Sequence, residues 1–260
     1  MTNQPIKLAI CGALGRMGSR ISALAAQAPE QFQIVAGIDR VSTNAGTAVA
    51  DVRSDLPAGV DVLIDFSSPA ATRAMIAACV KHKTAMVIGT TGLTSDDQTL
   101  IDNAAQSIAI LQAANTSLGV NVMLAIVAQA ARQLGDAYDI EIVEAHHNQK
   151  KDSPSGTALS LAQAICTATG RNMDNTLVHG RHGGDTPRKP GTIGMHAVRM
   201  GDVVGEHTVY FATRGEHIEV KHTASTRDTF ALGALRAATY IAGRKPGRYT
   251  MRDVLGLSGQ

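Results

Sequence analysis

In the first half of the chain, apolar runs at residues 7–10, 33–38, 62–66, 85–88 and 108–111 alternate with stretches of helical length. The runs are short and nearly continuous in their apolar character, as in parallel strands covered on both faces. The stretches between them, 21–28, 70–81 and 96–105, are rich in alanine and begin near Ser, Pro or Asp. They predict helices, and the β-α-β alternation predicts a doubly wound parallel sheet.

The pattern changes near residue 118. An apolar helix over 120–134 leads to a strand over 139–143 and then to a polar loop. Beyond Gly191, apolar and polar residues alternate through 192–198, 208–212 and 217–221, which predicts antiparallel sheet with turns at Gly201-Asp202 and Arg214-Gly215. The stretch 180–191, with its glycines, prolines and charges, reads as a mobile loop. A closing helix over 227–242 has the composition to pack back on the first part. The expected organisation is therefore α/β: a Rossmann-type domain over 1–117, completed by 227–260, and an α+β domain with an antiparallel or mixed sheet over 118–226.

Composition narrows the class. Hydrophobic residues make up 44% of the 260, enough for packed cores. Aromatic residues contribute only 3% and glycine occurs 25 times, which suits Ala/Val/Ile/Leu layers joined by tight turns. The net charge of +2 comes from interspersed signs, so neither a nucleic-acid partner nor a membrane surface is indicated. Cys11, Cys79 and Cys166 are far apart, which fits a reducing compartment better than a disulfide framework. The first residues lead straight into a strand-like run with no charged leader, and no later run reads as long enough to span a bilayer. A cytoplasmic protein is expected.

Gly12, Gly15 and Gly18 follow the first strand and open a helix, where small residues let backbone N–H groups approach a pyrophosphate. Their spacing is looser than the usual dinucleotide fingerprint, and glycines there also serve simply to seat a helix on a sheet. Asp39 tips the reading: it ends the next strand, 21 residues beyond Gly18, where a carboxylate meets ribose hydroxyls. Arg16 and Arg40 are placed to neutralise a 2′-phosphate, so NADH and NADPH both stay open. Gly89, Thr90 and Thr91, and Ala113, Ala114, Asn115 and Thr116, follow later strands on the side where doubly wound sheets bind ligands.

The densest chemistry lies in Glu144-Ala-His-His-Asn-Gln-Lys-Lys-Asp-Ser-Pro-Ser-Gly-Thr157. His146, His147 and Lys150 can face one cavity. Ser155, Gly156 and Thr157 then start a helix whose N–H groups would hold a carboxylate. Imidazole exchanges protons near neutrality and lysine can protonate nitrogen, chemistry that accompanies hydride transfer to C=N. Each residue alone has a plain structural reading as a loop histidine, a solvated lysine or an N-cap; their joint occurrence favours a site. Eight of the nine histidines lie between 146 and 222, but no metal-ligand spacing accompanies them, so no metal is expected. An amine-oxidising dehydrogenase on the same nucleotide domain and a nucleotide-sensing assembly protein are the competing readings.

The run from Glu144 to Ala158, with Gly12-Ala-Leu-Gly-Arg-Met-Gly18, resembles the 4-hydroxy-tetrahydrodipicolinate (dihydrodipicolinate) reductase family. The resemblance extends through Val87–Gly92, Leu118–Val122, Pro190–Gly194, Gly201–His207 and Met251–Val254. It implies NAD(P)H-dependent reduction of a cyclic dicarboxylate in diaminopimelate and lysine synthesis. His146 would then give or take a proton, Lys150 would donate one, His147 would contact substrate, and Gly156 and Thr157 would receive a carboxylate. It also implies nucleotide contacts from Gly12, Ala13, Leu14, Gly15, Arg16, Met17, Asp39, Arg40, the 89–91 and 113–116 loops, and a homotetramer built through the antiparallel sheets. Two positions depart from the family pattern: Thr116 stands where Phe is common, and Asp39 where some members carry Glu.

Overall fold

The computed structural model describes residues 4–39, 52, 53 and 55–257. Arg40 lies outside them. The chain divides into two compact units, Met1–Leu118 with Arg227–Gln260, and Gly119–Thr226.

The first unit is built on a parallel sheet of seven strands: β1 (Ile6–Cys11), β2 (Phe32–Ile38), β3 (Val52–Arg53), β4 (Val62–Asp65), β5 (Ala85–Ile88), β6 (Ala109–Gln112) and β12 (Gly247–Tyr249). Their order is β12-β6-β5-β4-β1-β2-β3. Successive residues of β1 enter different cores, which is why its run is apolar throughout. Leu8 and Ile10 pack with Ile21 of α1 (Arg16–Ala26) and with Ala234 and Ala238 of α7 (Asp228–Ile241). Ala9 and Cys11 pack with Ile76 of α2 (Pro69–His82) and Ile101 of α3 (Ser95–Ala105). Two helix starts are fixed by side-chain caps. Ser68 caps α2 with Pro69 in the first turn, and Thr94 forms a capping box with Asp97. The chain leaves β1 for β2 on one side and later fills β4 on the other, so the turn after β1 lies at the topological switch point.

The second unit carries a five-stranded mixed sheet of order β11-β10-β7-β9-β8. Its strands are β7 (Asp139–His146), β8 (Leu177–His179), β9 (Ile193–Arg199), β10 (Gly205–Thr213) and β11 (Glu216–Ala224). Ile140, Ile142, Met195, Val209 and Phe211 line one face and pack on α4 (Leu118–Leu134) and α5 (Gly156–Thr169) through Met123, Val127, Leu161 and Ile165. The short helices α6 (Met173–Thr176) and α8 (Met251–Val254) complete the set.

Four expectations change. The Arg214-Gly215 turn does join a hairpin, β10–β11, but Gly201-Asp202 does not. β9 pairs in parallel with β7, and β10 lies on the far side of β7. Alternation reveals which face a residue takes, not which strand lies beside it. The strand expected to end at Val143 continues to His146, because Glu144 and His146 are polar yet buried within the ladder. The 180–191 stretch is fastened: Arg181 and Arg188 both donate to the Glu141 carboxylate, and Arg188 also donates to Ile140 O. A Cβ at Gly194 would overlap that same carboxylate. Finally, α4 with its following 3-10 turn, Leu118–Ala137, is long and apolar enough by length and composition to cross a membrane. One of its faces is instead part of the second unit's core.

Gly233 of α7 sets how closely that helix approaches the loop after β6. A Cβ there would overlap the backbone oxygen of Thr116. Thr116 also donates its hydroxyl to Phe230 O at 2.7 Å. Backbone cannot yield as a flexible side chain can, so Gly233→Ala is expected to destabilise by about 1–3 kcal/mol or more. Thermal denaturation of the variant checks this; an unchanged midpoint would show that the loop moves freely away from α7.

Candidate active site

In the first unit the residues expected to hold a dinucleotide converge on the end of β1. Gly12 turns the chain at φ +77°, and a Cβ there would stand 2.5 Å from Phe66 O. Its N–H and that of Ala13 donate to Ile38 O, which binds the turn to β2. At Gly18 a Cβ would overlap Gly12 O and lie 2.7 Å from Ala13 Cα, so only glycine lets α1 begin this close to the turn. Gly15 is the α1 N-cap and has no side chain to close the helix end. No acidic residue follows in the first turn, and Arg16 is exposed beside it. Such an end favours an anion. Asp39 reaches back across the switch point and accepts the Leu14 N–H at 3.0 Å. Met17 and Leu14 are half-buried against the core.

The other two loops are held from inside. Thr90 is buried, and its hydroxyl accepts the Ser67 N–H at 3.0 Å, while Thr91 is exposed. A Cβ at Gly89 would run into the Phe66 ring. Asn115 accepts from Ser117 N, Ala113 is partly buried and Ala114 exposed. Thr116 points its hydroxyl into the unit, so this position shapes the loop from within. The donor set, the bare helix end and the close backbone approaches all fit a dinucleotide pyrophosphate with its ribose.

The second unit places the remaining predicted residues at the end of β7. Glu144 is wholly buried, and both of its oxygens are saturated. Oε1 accepts Ser155 N–H at 3.0 Å and Arg199 Nη2 at 2.8 Å; Oε2 faces His146 Nδ1 at 2.6 Å and accepts Arg199 Nη1 at 2.8 Å. Burial works against the charge of Glu144, but Arg199 and His146 outweigh it and hold the carboxylate below its usual range. Burial likewise depresses His146, against the pull of Glu144. Lys150 Nζ lies 2.9 Å from Asp152 Oδ1. His147 is half-buried, and its carbonyl accepts Lys150 N–H.

Ser155 takes an anchoring place. It caps α5 by accepting Ala158 N–H at 3.2 Å, its hydroxyl also lies 2.9 Å from His207 Nε2, and its own N–H goes to Glu144. Beyond this cap, α5 starts with Gly156, which is exposed, and Thr157, which is half-buried. His207 packs edge-on against His146 with ring centroids 5.2 Å apart, and burial lowers its pKa to about 4, so it is neutral. Glu144, Arg199 and His207 escaped the sequence reading. Glu144 lies in the Glu144–Thr157 run, whose polarity resembles that of a loop, and the other two come from strands brought in by pairing. Among the described residues no group of three His, Cys, Asp or Glu side chains is placed to hold a metal ion. His196 instead pairs with Glu141 at 2.7 Å.

A glycine turn at the switch point of a parallel sheet, with a second unit bearing a saturated carboxylate, two imidazoles and a lysine, defines a dehydrogenase-type reductase. The chain belongs to the dihydrodipicolinate reductase family: residues 6–116 match the model of its N-terminus and residues 119–255 that of its C-terminus. The chain is 46% identical to the 4-hydroxy-tetrahydrodipicolinate reductase of Alkalilimnicola ehrlichii, over 96% of this chain and 99% of that one. It is 44% identical to that of Syntrophotalea carbinolica, over 97% and 99%. Among solved structures, the dipicolinate-bound dihydrodipicolinate reductase from Paenisporosarcina sp. TG-14 shares the fold with a TM-score of 0.73 at 22% identity, covering 95% of this chain and 97% of that one. GenD2 from gentamicin A biosynthesis, solved with NAD, aligns with a TM-score of 0.60 at 10% identity over 98% and 91%.

The environment of Ser155 makes a test. Ser155→Ala removes a helix cap, expected to cost about 0.5–2 kcal/mol, and strips His207 of a partner. The melting temperature should fall while KM for the dicarboxylate changes little. A raised KM with an unchanged melting temperature would instead place the hydroxyl on the substrate.

Proposed function

We propose that the chain reduces 4-hydroxy-tetrahydrodipicolinate to tetrahydrodipicolinate, with loss of water, in the diaminopimelate and lysine route. The observation that supports this reading is the order of β7, its following loop and the α5 start, which carries His146 and Lys150 just ahead of a helix N-terminus. A reduced nicotinamide, bound at the Gly12–Gly18 turn, supplies the hydride. The fit of Asp39 to a ribose supports NADH, and Arg16 with Arg40 supports NADPH as well. The same family membership supports a cytoplasmic homotetramer assembled through the second sheet.

The side chains of the second unit divide the remaining work. Glu144 is an acceptor, so His146 presents Nδ1–H to it and exchanges protons through Nε2. Lys150, an ammonium steadied by Asp152, donates a proton where negative charge gathers on nitrogen or on the departing oxygen. The first N–H groups of α5, at Gly156 and Thr157, bind a substrate carboxylate with the favourable end of the helix dipole. His147 adds a contact from the loop.

Replacing either proton carrier separates binding from chemistry. His146→Ala and Lys150→Ala are each expected to lower kcat about 100-fold or more while the Kd for NADH, measured by fluorescence titration, stays within about twofold. Loss of nucleotide binding with turnover per bound cofactor intact would contradict the assigned roles.

A further inference from the structure

Both proton carriers depend on one cation. Arg199 ends β9 directly beside His146 in the parallel register. Its two terminal nitrogens donate to the two oxygens of Glu144, and Nη2 also donates to Asp152 O at 2.8 Å. The side chain of Asp152 pairs with Lys150. One guanidinium thus fastens the carboxylate that orients the imidazole and the loop residue that steadies the lysine.

We propose that Glu144 and Arg199 are positioning residues for the reduction. Glu144 fixes His146 so that Nε2 carries the exchangeable proton, and Arg199 offsets the charge of Glu144 so that the carboxylate does not lock this imidazole in its protonated form. The inference rests on reading His146 as a proton carrier.

Three features support it. A carboxylate accepts about four hydrogen bonds, and all four positions on Glu144 are filled by Arg199, Ser155 and His146. Rotation of that carboxylate would break several bonds at once, so the tautomer of His146 is fixed. Second, a buried anion 2.6 Å from an imidazole would by itself hold the ring as imidazolium. The charged groups around His146 are Glu144 on β7, Arg199 on β9 and Lys150 on the loop, with the titratable His207 on β10; of these, Glu144 alone favours imidazolium. With Arg199 spread across the same carboxylate, the pair is close to neutral as His146 meets it. Third, Gly205 leaves room beside Nε2: a Cβ there would stand 3.1 Å from it and 3.8 Å from His207 Cε1. Lysine at 199 would supply charge without the planar fork that spans both oxygens and reaches Asp152 O.

The test is the titration of His146 in the full chain, followed by NMR of its imidazole Cε1–H and assigned with His146→Asn. Glu144→Gln should lower the His146 pKa and Arg199→Gln should raise it, each by about one pH unit or more. Arg199→Lys should keep it near the wild-type value while kcat falls about tenfold or more, with the Kd for NADH unchanged. Opposite shifts in the two charge-removing variants support the proposal. An unmoved titration, or shifts of the same sign, would overturn it and leave these residues a structural role only. Should Arg199→Gln fail to fold, Glu144→Gln and Arg199→Lys decide the matter: no shift in the former, or a full kcat in the latter, is contrary. The titration needs no turnover, so failure of the wild-type chain to reduce the substrate would count against the functional reading alone.

Discussion

A fully buried carboxylate is costly unless its charge is paired and its oxygens are saturated, and Glu144 meets both conditions with donors from three separate segments. β7 supplies the carboxylate and His146, β9 supplies Arg199, and the start of α5 supplies the Ser155 N–H. Removing a single partner would leave buried charge uncompensated, so the end of the mixed sheet, the loop and the helix start are held to one another. The same four bonds that satisfy Glu144 orient the imidazole. Stability and the proposed proton transfer therefore share one set of contacts in the second unit.

The first unit solves a different problem. Its ligand end requires backbone to lie close to backbone, and glycines at 12, 18 and 233 make those approaches possible. Asp39 closes on the glycine turn through the Leu14 N–H, so the carboxylate proposed to meet a ribose also fixes the turn proposed to receive a pyrophosphate. Thr116 gives its hydroxyl to the backbone of α7. In this chain that position contributes to loop shape from inside the unit.

Much of this was legible in the sequence because it is local. The parallel strands announce themselves as continuous apolar runs, since both faces of β1, β4 and β5 are buried. The hairpin at Arg214-Gly215 and the Ser155 start of α5 follow from turn and cap chemistry. What stayed hidden depends on pairing between distant segments. β9 alternates like an antiparallel strand yet runs parallel to β7, and Arg199 acquires its meaning only from the register that sets it beside His146. Glu144 and His146 read as loop because buried charge looks like surface until its partners are known. The 180–191 stretch read as mobile for the same reason: the Glu141 carboxylate that fastens Arg181 and Arg188 lies about 40 residues away in sequence.

The most direct measurement is the oxidation of NADH and of NADPH by the wild-type chain with freshly generated 4-hydroxy-tetrahydrodipicolinate, followed by loss of the reduced-nicotinamide absorbance. Reduction of this substrate by the chain requires substrate-dependent oxidation of at least one cofactor with formation of tetrahydrodipicolinate. A folded protein that binds the nucleotide yet oxidises neither cofactor in the presence of this substrate would contradict it.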